Sequence, residues 1–181
     1  ENEIVSFYFR SILYPSPLGG TNEGGKHYYL KNRSGIYPGY PNKEAEKLIL
    51  TEAIIDAASL LQIPEIKHEY SIISCFGTNG LNEEILQAIK ELKKLEEIIF
   101  CFDQDDAGRK AVKKYAEDFR NYKVTTVELP NKDVNETLQL HNEELFTKLL
   151  EERKFVFSNE IESSTQSNKK EKTTEKDLQK S

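Results

Sequence analysis

From Lys47 onward the chain alternates short apolar runs with segments whose apolar residues recur at helical spacing, and few folds accept that alternation. Residues 47–51, 70–75, 98–102 and 123–129 are the runs. Each has strand length, and the first three set apolar residues side by side rather than at every second position. A strand of that kind is buried on both faces, as in a parallel sheet covered by helices. The intervening segments supply those helices: Ile54, Ala57, Ala58 and Leu61; then Ile85, Ile89 and Leu92; then Ala107, Ala111, Tyr115 and Phe119. A last helix is expected through Glu143, Glu144, Leu145, Phe146, Leu149 and Leu150. The pattern predicts an α/β domain with a parallel, Rossmann-like sheet, helices on both faces and right-handed crossovers.

The rest of the chain differs in composition. Residues 1–46 are rich in aromatic residues and glycine. They offer two strands, one through Ile4, Val5, Phe7 and Phe9 and one through His27, Tyr28, Tyr29 and Leu30, joined by a glycine-rich loop at 18–25. The expected organisation is a partial, β-rich basic subdomain at 1–46, a catalytic domain at 47–140 and a C-terminal helix at 141–157. Residues 158–181 are mostly lysine, glutamate, serine and threonine with no aromatic residue, and are expected to form a disordered linker or tail. The 181 residues contain no methionine, and the chain is read as a piece of a longer protein with domains missing on either side. The net charge of −6 announces no global field for nucleic acid, although a local basic groove can sit on an acidic protein. Cys75 and Cys101 lie in apolar runs without zinc-ligand spacing, as expected of buried thiols in a reducing cytoplasm. No apolar run is long enough to span a bilayer, so no membrane partner is expected.

Acidic residues fall where the strands end. Glu52 closes the first run, Asp103 and Asp105 close the third, and Asp133 follows the fourth. Open α/β sheets bind ligands at the carboxyl ends of their strands, so these chain-distant acids converge at one edge. Converging carboxylates are costly to desolvate unless a cation neutralises them. Oxygen ligands with few histidines favour Mg²⁺ or Mn²⁺ over zinc. Asp56, one helical turn after Glu52, either joins the cluster or faces water. Acids in a helix's first turn also cap orphan N–H groups. Asp106 is read that way, and capping competes with metal binding at Asp103 and Asp105. A calcium loop starting at Asp103 is excluded, because Ala107 and Lys114 would stand where a ligand and a bidentate glutamate are required. A phosphatase of the haloacid dehalogenase type fits weakly, because there the aspartate pair belongs to the first strand.

Four stretches resemble the TOPRIM domain of bacterial, DnaG-type DNA primases. Leu48-Ile49-Leu50-Thr51-Glu52-Ala53-Ile54-Ile55-Asp56-Ala57 resembles the first acidic motif, with Ala53 where glycine is usual. Ile99-Phe100-Cys101-Phe102-Asp103-Gln104-Asp105-Asp106-Ala107-Gly108-Arg109-Lys110-Ala111 resembles the second, whose Ala-Gly lets the next helix pack closely. Leu129-Pro130-Asn131-Lys132-Asp133-Val134-Asn135-Glu136 resembles the segment that follows in primases, and Gly77-Thr78-Asn79-Gly80 the turn between the motifs. The front segment is similar to the primase strands that line a groove for template and nucleotide phosphates.

The resemblance implies a TOPRIM fold and Mg²⁺- or Mn²⁺-dependent synthesis of RNA primers on single-stranded DNA from nucleoside triphosphates. Glu52, Asp103 and Asp105 would be the catalytic acids and, with Asp56 and Asp133, the metal ligands. Arg10, Lys26 and Arg33 would contact phosphates, although ordinary solvated lysine explains Lys26 and Lys31 as well. A replicative helicase is an implied partner, the cytoplasm the implied location, and a plasmid, phage or other mobile element an implied origin. A TOPRIM nuclease or topoisomerase, or a module that only binds nucleic acid, would use the same motifs.

Overall fold

A computed structural model describes residues 4, 6–10, 27–29 and 34–157. At the front, β1 (Tyr8–Arg10) pairs antiparallel with β2 (His27–Tyr29), Phe9 opposite Tyr28. The loop expected at 18–25 and the tail expected at 158–181 lie outside the described residues.

The main sheet has five strands in the order β4-β3-β5-β6-β7. These are β3 (Lys47–Thr51), β4 (Ser71–Ser74), β5 (Glu97–Cys101), β6 (Lys123–Thr126) and β7 (Lys154–Phe155). The first four run parallel, as their apolar runs predict. β7 departs from the purely parallel expectation: it returns antiparallel against β6, Thr125 facing Phe155. With two exposed residues it carries no periodic signal of its own.

Both sheet faces are packed, and the alternation of side chains along β3 shows how. Leu48 and Leu50 point into one core with Ile98, Phe100, Ile85, Ile89, Val112 and Tyr115. Ile49 points into the other with Ile99, Cys101, Ala57, Leu60, Val134 and Phe146. The helices α3 (Glu83–Lys90) and α4 (Asp106–Asp118) cover the first face. The second is covered by α1 (Ile54–Leu60), α2 (Pro64–Glu69), α5 (Val134–Leu140) and α6 (Glu143–Glu151). The expected C-terminal helix over 141–157 is therefore shorter, ending before β7. Both cysteines are buried and unpaired, and burial pushes their thiols up.

The topology creates a crevice. From β3 the chain leaves over one face toward β4, while from β5 it leaves over the other toward β6. The segments leaving β3 and β5 diverge, so a topological switch point opens between them at their carboxyl ends.

Candidate metal and nucleotide site

Glu52 and Asp103 flank that switch point. Thr51 and Cys101 are partners in the β3–β5 ladder, so the residues that follow each strand emerge side by side. The main chain at Glu52 is held from β4: Cys75 N–H donates to Thr51 O at 2.8 Å, and Gly77 N–H to Glu52 O at 2.7 Å. This return needs an unusual turn. Phe76 takes φ +56° and Gly77 φ +113°, and a Cβ on Gly80 would meet Cys75 O at 1.5 Å. The small-residue turn read from the sequence is thus required by close backbone approach. At the start of α1, Ala53 is extended at φ −111°, so the alanine that replaces the usual glycine fits without strain.

The second motif is built as tightly. Asp105 is the N-cap of α4, its Oδ1 accepting from Gly108 N–H at 2.9 Å. The cap expected at Asp106 is therefore one residue earlier; Asp106 pairs with Arg109 at 2.6 Å instead. A Cβ on Gly108 would meet Asp103 O at 2.1 Å, so only glycine lets the helix start this close to the strand end. Gln104, unassigned by the sequence reading, clamps the loop: its N–H donates to Lys132 O at 2.7 Å and its side chain to Phe102 O at 3.0 Å.

The electrostatics mark an anionic pocket without enough counter-charge. Burial, then repulsion from Asp103 and Asp105, raises the Glu52 carboxyl to about 7, although the backbone N–H of Asp103 partly offsets this. Glu52 Oε2 is buried and has no hydrogen-bond partner. Burial also raises Asp103, opposed by Lys132 and reinforced by Asp133 and Asp105. Lys132 Nζ lies 3.5 Å from Asp103 Oδ2. Burial raises Asp56 to about 7, against its hydrogen bond from Asn135.

Asp56 does not face water: it is 2% exposed. Its Oδ1 accepts from Asn135 N–H at 3.0 Å and its Oδ2 from Ala53 N–H at 3.3 Å, tying α1 to α5. Asp133 is the N-cap of α5, accepting from Glu136 N–H at 2.7 Å. Of the five acids named from the sequence, Glu52, Asp103 and Asp105 share the switch point. Asp56 and Asp133 adjoin them; Asp56 spends both oxygens on backbone N–H groups, while Asp133, like Asp105, spends one on a helix cap. Of the basic candidates, Arg10 lies in β1 without a described side chain, and Lys26 and Arg33 lie outside the described residues.

Among the described residues no three carboxylate, imidazole or thiol groups converge closely enough to form a ready metal cage. Mg²⁺ does not need one: it keeps several waters and binds through one or two carboxylates plus substrate phosphates. The orphaned Glu52 Oε2 and the mutual repulsion of Glu52, Asp103 and Asp105 fit a hard cation. Beside Asp103 a cavity of about 260 Å³ is lined by Gln104, Arg109, Lys113, Val127 and Phe155.

Comparison with known proteins agrees with the geometry. Residues 49–138, from β3 through most of α5, match the family described as Toprim-like. The α/β domain belongs to that family. The DNA helicase/primase of Enterobacteria phage T3 is 35% identical over 92 residues, 50% of this chain and 16% of that protein. The primase fragment of the bacteriophage T7 primase-helicase is 30% identical with a TM-score of 0.50, covering 59% of this chain and 44% of that one. The zinc-binding and RNA polymerase domains of the Aquifex aeolicus primase share the fold over 95% of this chain and 42% of that one, at 21% identity and a TM-score of 0.61. The chain thus spans less than half the length of each, and its Toprim-like domain is of the primase type.

Proposed function

We propose that this domain is the catalytic core of a DNA primase, joining ribonucleotides into RNA primers on a single-stranded DNA template with Mg²⁺ or Mn²⁺. The observation that carries the reading is the pairing of Glu52 and Asp103 at the switch point, one carboxylate oxygen buried without a partner. The primase-type Toprim match over the same residues supports it.

In this reading Asp103 and Asp105 hold the divalent ion, with Asp133 as an outer ligand. When bound, the ion would neutralise charge developing on the triphosphate and position it for in-line attack. Burial and the facing acids raise Glu52 to about 7 in the metal-free domain, and a divalent ion at Asp103 and Asp105 would lower it toward the ionised base. Glu52 is then the carboxylate assigned to take the proton of an attacking 3′-hydroxyl as pyrophosphate leaves. The cavity on the flank of Asp103 has cationic side chains at its wall, Arg109 and Lys113, to face phosphate. Asp56 holds α1 against α5 and acts through the position of Glu52. Arg10, Lys26 and Arg33 are assigned to template and nucleotide phosphates, and a replicative helicase to partnership with the whole protein.

The test is product length. With single-stranded DNA, ribonucleotides and Mg²⁺, new short oligonucleotides are expected on a denaturing gel. Shortening of the template instead would assign the domain to phosphodiester cleavage. Metal-independent DNA binding with neither product would make it a binding module.

A further inference from the structure

Lys132 Nζ stands 3.5 Å from Oδ2 of Asp103, one of the acids assigned above to the metal. Its backbone is fixed on both sides, the carbonyl accepting from Gln104 N–H at 2.7 Å and the N–H donating to Glu136 Oε2 at 3.0 Å. Its side chain is 61% exposed, yet it reaches Asp103, whose side chain is only 15% exposed. The contact, at 3.5 Å, is longer than a good N–H···O bond. It neutralises without locking. The carboxylates of Asp105 and Asp133 also act on this ammonium, so it serves the cluster and not one acid alone.

We propose that Lys132 is a resident counter-ion, held on Asp103 by the β6–α5 loop, which a divalent cation must displace to enter the site. The lysine stabilises the metal-free domain by easing the repulsion among Glu52, Asp103 and Asp105. For the same reason it weakens metal binding, because the ion must replace a cation already in place. On displacement the ammonium stays tethered at the rim by its fixed backbone. The inference rests on the metal reading of these acids and adds a residue that sets the affinity of the site.

The test is calorimetric titration of Mn²⁺ into the 181-residue chain. Lys132→Met is expected to tighten Mn²⁺ binding about three- to fivefold, the range set by a partly exposed ion pair. Lys132→Arg should keep the wild-type affinity. Lys110→Met, exposed on α4, should change it by less than about twofold, which separates local competition from a general field effect. Melting curves supply a second readout: Lys132→Met lowers the Tm of the metal-free chain and leaves that of the metal-saturated chain unchanged. If the methionine variant does not fold, Lys132→Gln carries the same expectations. Equal or weaker Mn²⁺ affinity in the variant overturns the counter-ion role. A wild-type chain that binds no Mn²⁺ overturns the metal reading and this inference together.

Discussion

At the scale of single residues, the cost of the site is visible as misplaced protons. Glu52 holds its proton to about 7, above the ordinary carboxylate value, because it is desolvated and faces other acids. A group whose folded pKa is raised favours the folded state at low pH. That contribution is full below about 4.5 and is lost as pH rises to about 7. Without metal, Glu52→Gln should therefore raise the Tm at pH 8 and leave it nearly unchanged at pH 4. A lower Tm at pH 8 would contradict the strain assigned to Glu52. Glu97 shows the opposite sign at the other end of the sheet. Burial alone would raise it, but Arg153, donating at 2.6 and 2.8 Å, the Thr125 hydroxyl and Lys123 outweigh burial and hold it near 2. Its stabilisation is present above about 4.5 and disappears as pH falls toward 2. Arg153→Met leaves this carboxylate buried with weaker partners and should cost about 3 kcal/mol in urea unfolding at pH 7. The sequence named Glu52 and Asp103 from their places at strand ends. It could not show that Lys132 sits on Asp103, because a lysine before an aspartate reads as an ordinary solvated charge.

At the scale of elements, legibility followed burial. The strands β3, β4 and β5 are readable because both their faces carry apolar residues, β6 because Val124, Thr125 and Thr126 are β-branched, and α3 and α4 because one face is apolar. The helix α2 buries only Ile66, so its one clear signal was Pro64 at the first helical position. The stretch Asp133-Val134-Asn135-Glu136 reads as acids after a strand, while the helix that begins there is defined by the Asp133 cap and by Val134 and Thr137 turned inward. The strand β7 exists because α6 returns the chain to β6, a tertiary cause with no local pattern. The shift of the α4 cap from Asp106 to Asp105 has a backbone cause: Asp105 is extended, at φ −102° and ψ 176°, and begins the helix from outside it. Two predictions belong here. Gly108→Ala forces a Cβ toward Asp103 O, so it should cost more than about 2 kcal/mol and weaken Mn²⁺ binding, read by melting and calorimetry. Asp133→Ala removes the α5 cap and should cost about 1 kcal/mol. A neutral Gly108→Ala would remove the close-approach argument for that glycine.

At the scale of the whole molecule, the sheet order explains why acids far apart in the chain meet. The strands β3 and β5 are neighbours whose connections leave over opposite faces, so their ends are uncovered together. The Toprim-like match begins in β3 and closes in α5, enclosing every acid of the site. No helix among the described residues is long and apolar enough to cross a membrane. The central claim is that Asp103 serves metal-dependent nucleotidyl transfer and not folding. It is tested most directly by comparing wild type with Asp103→Asn in labelled ribonucleotide incorporation on single-stranded DNA with Mg²⁺, alongside a melting curve of each. Incorporation should fall about a hundredfold or more, the loss of several kcal/mol of transition-state stabilisation, while the Asn variant melts no lower than wild type. Full incorporation by a folded Asp103→Asn chain would contradict the account.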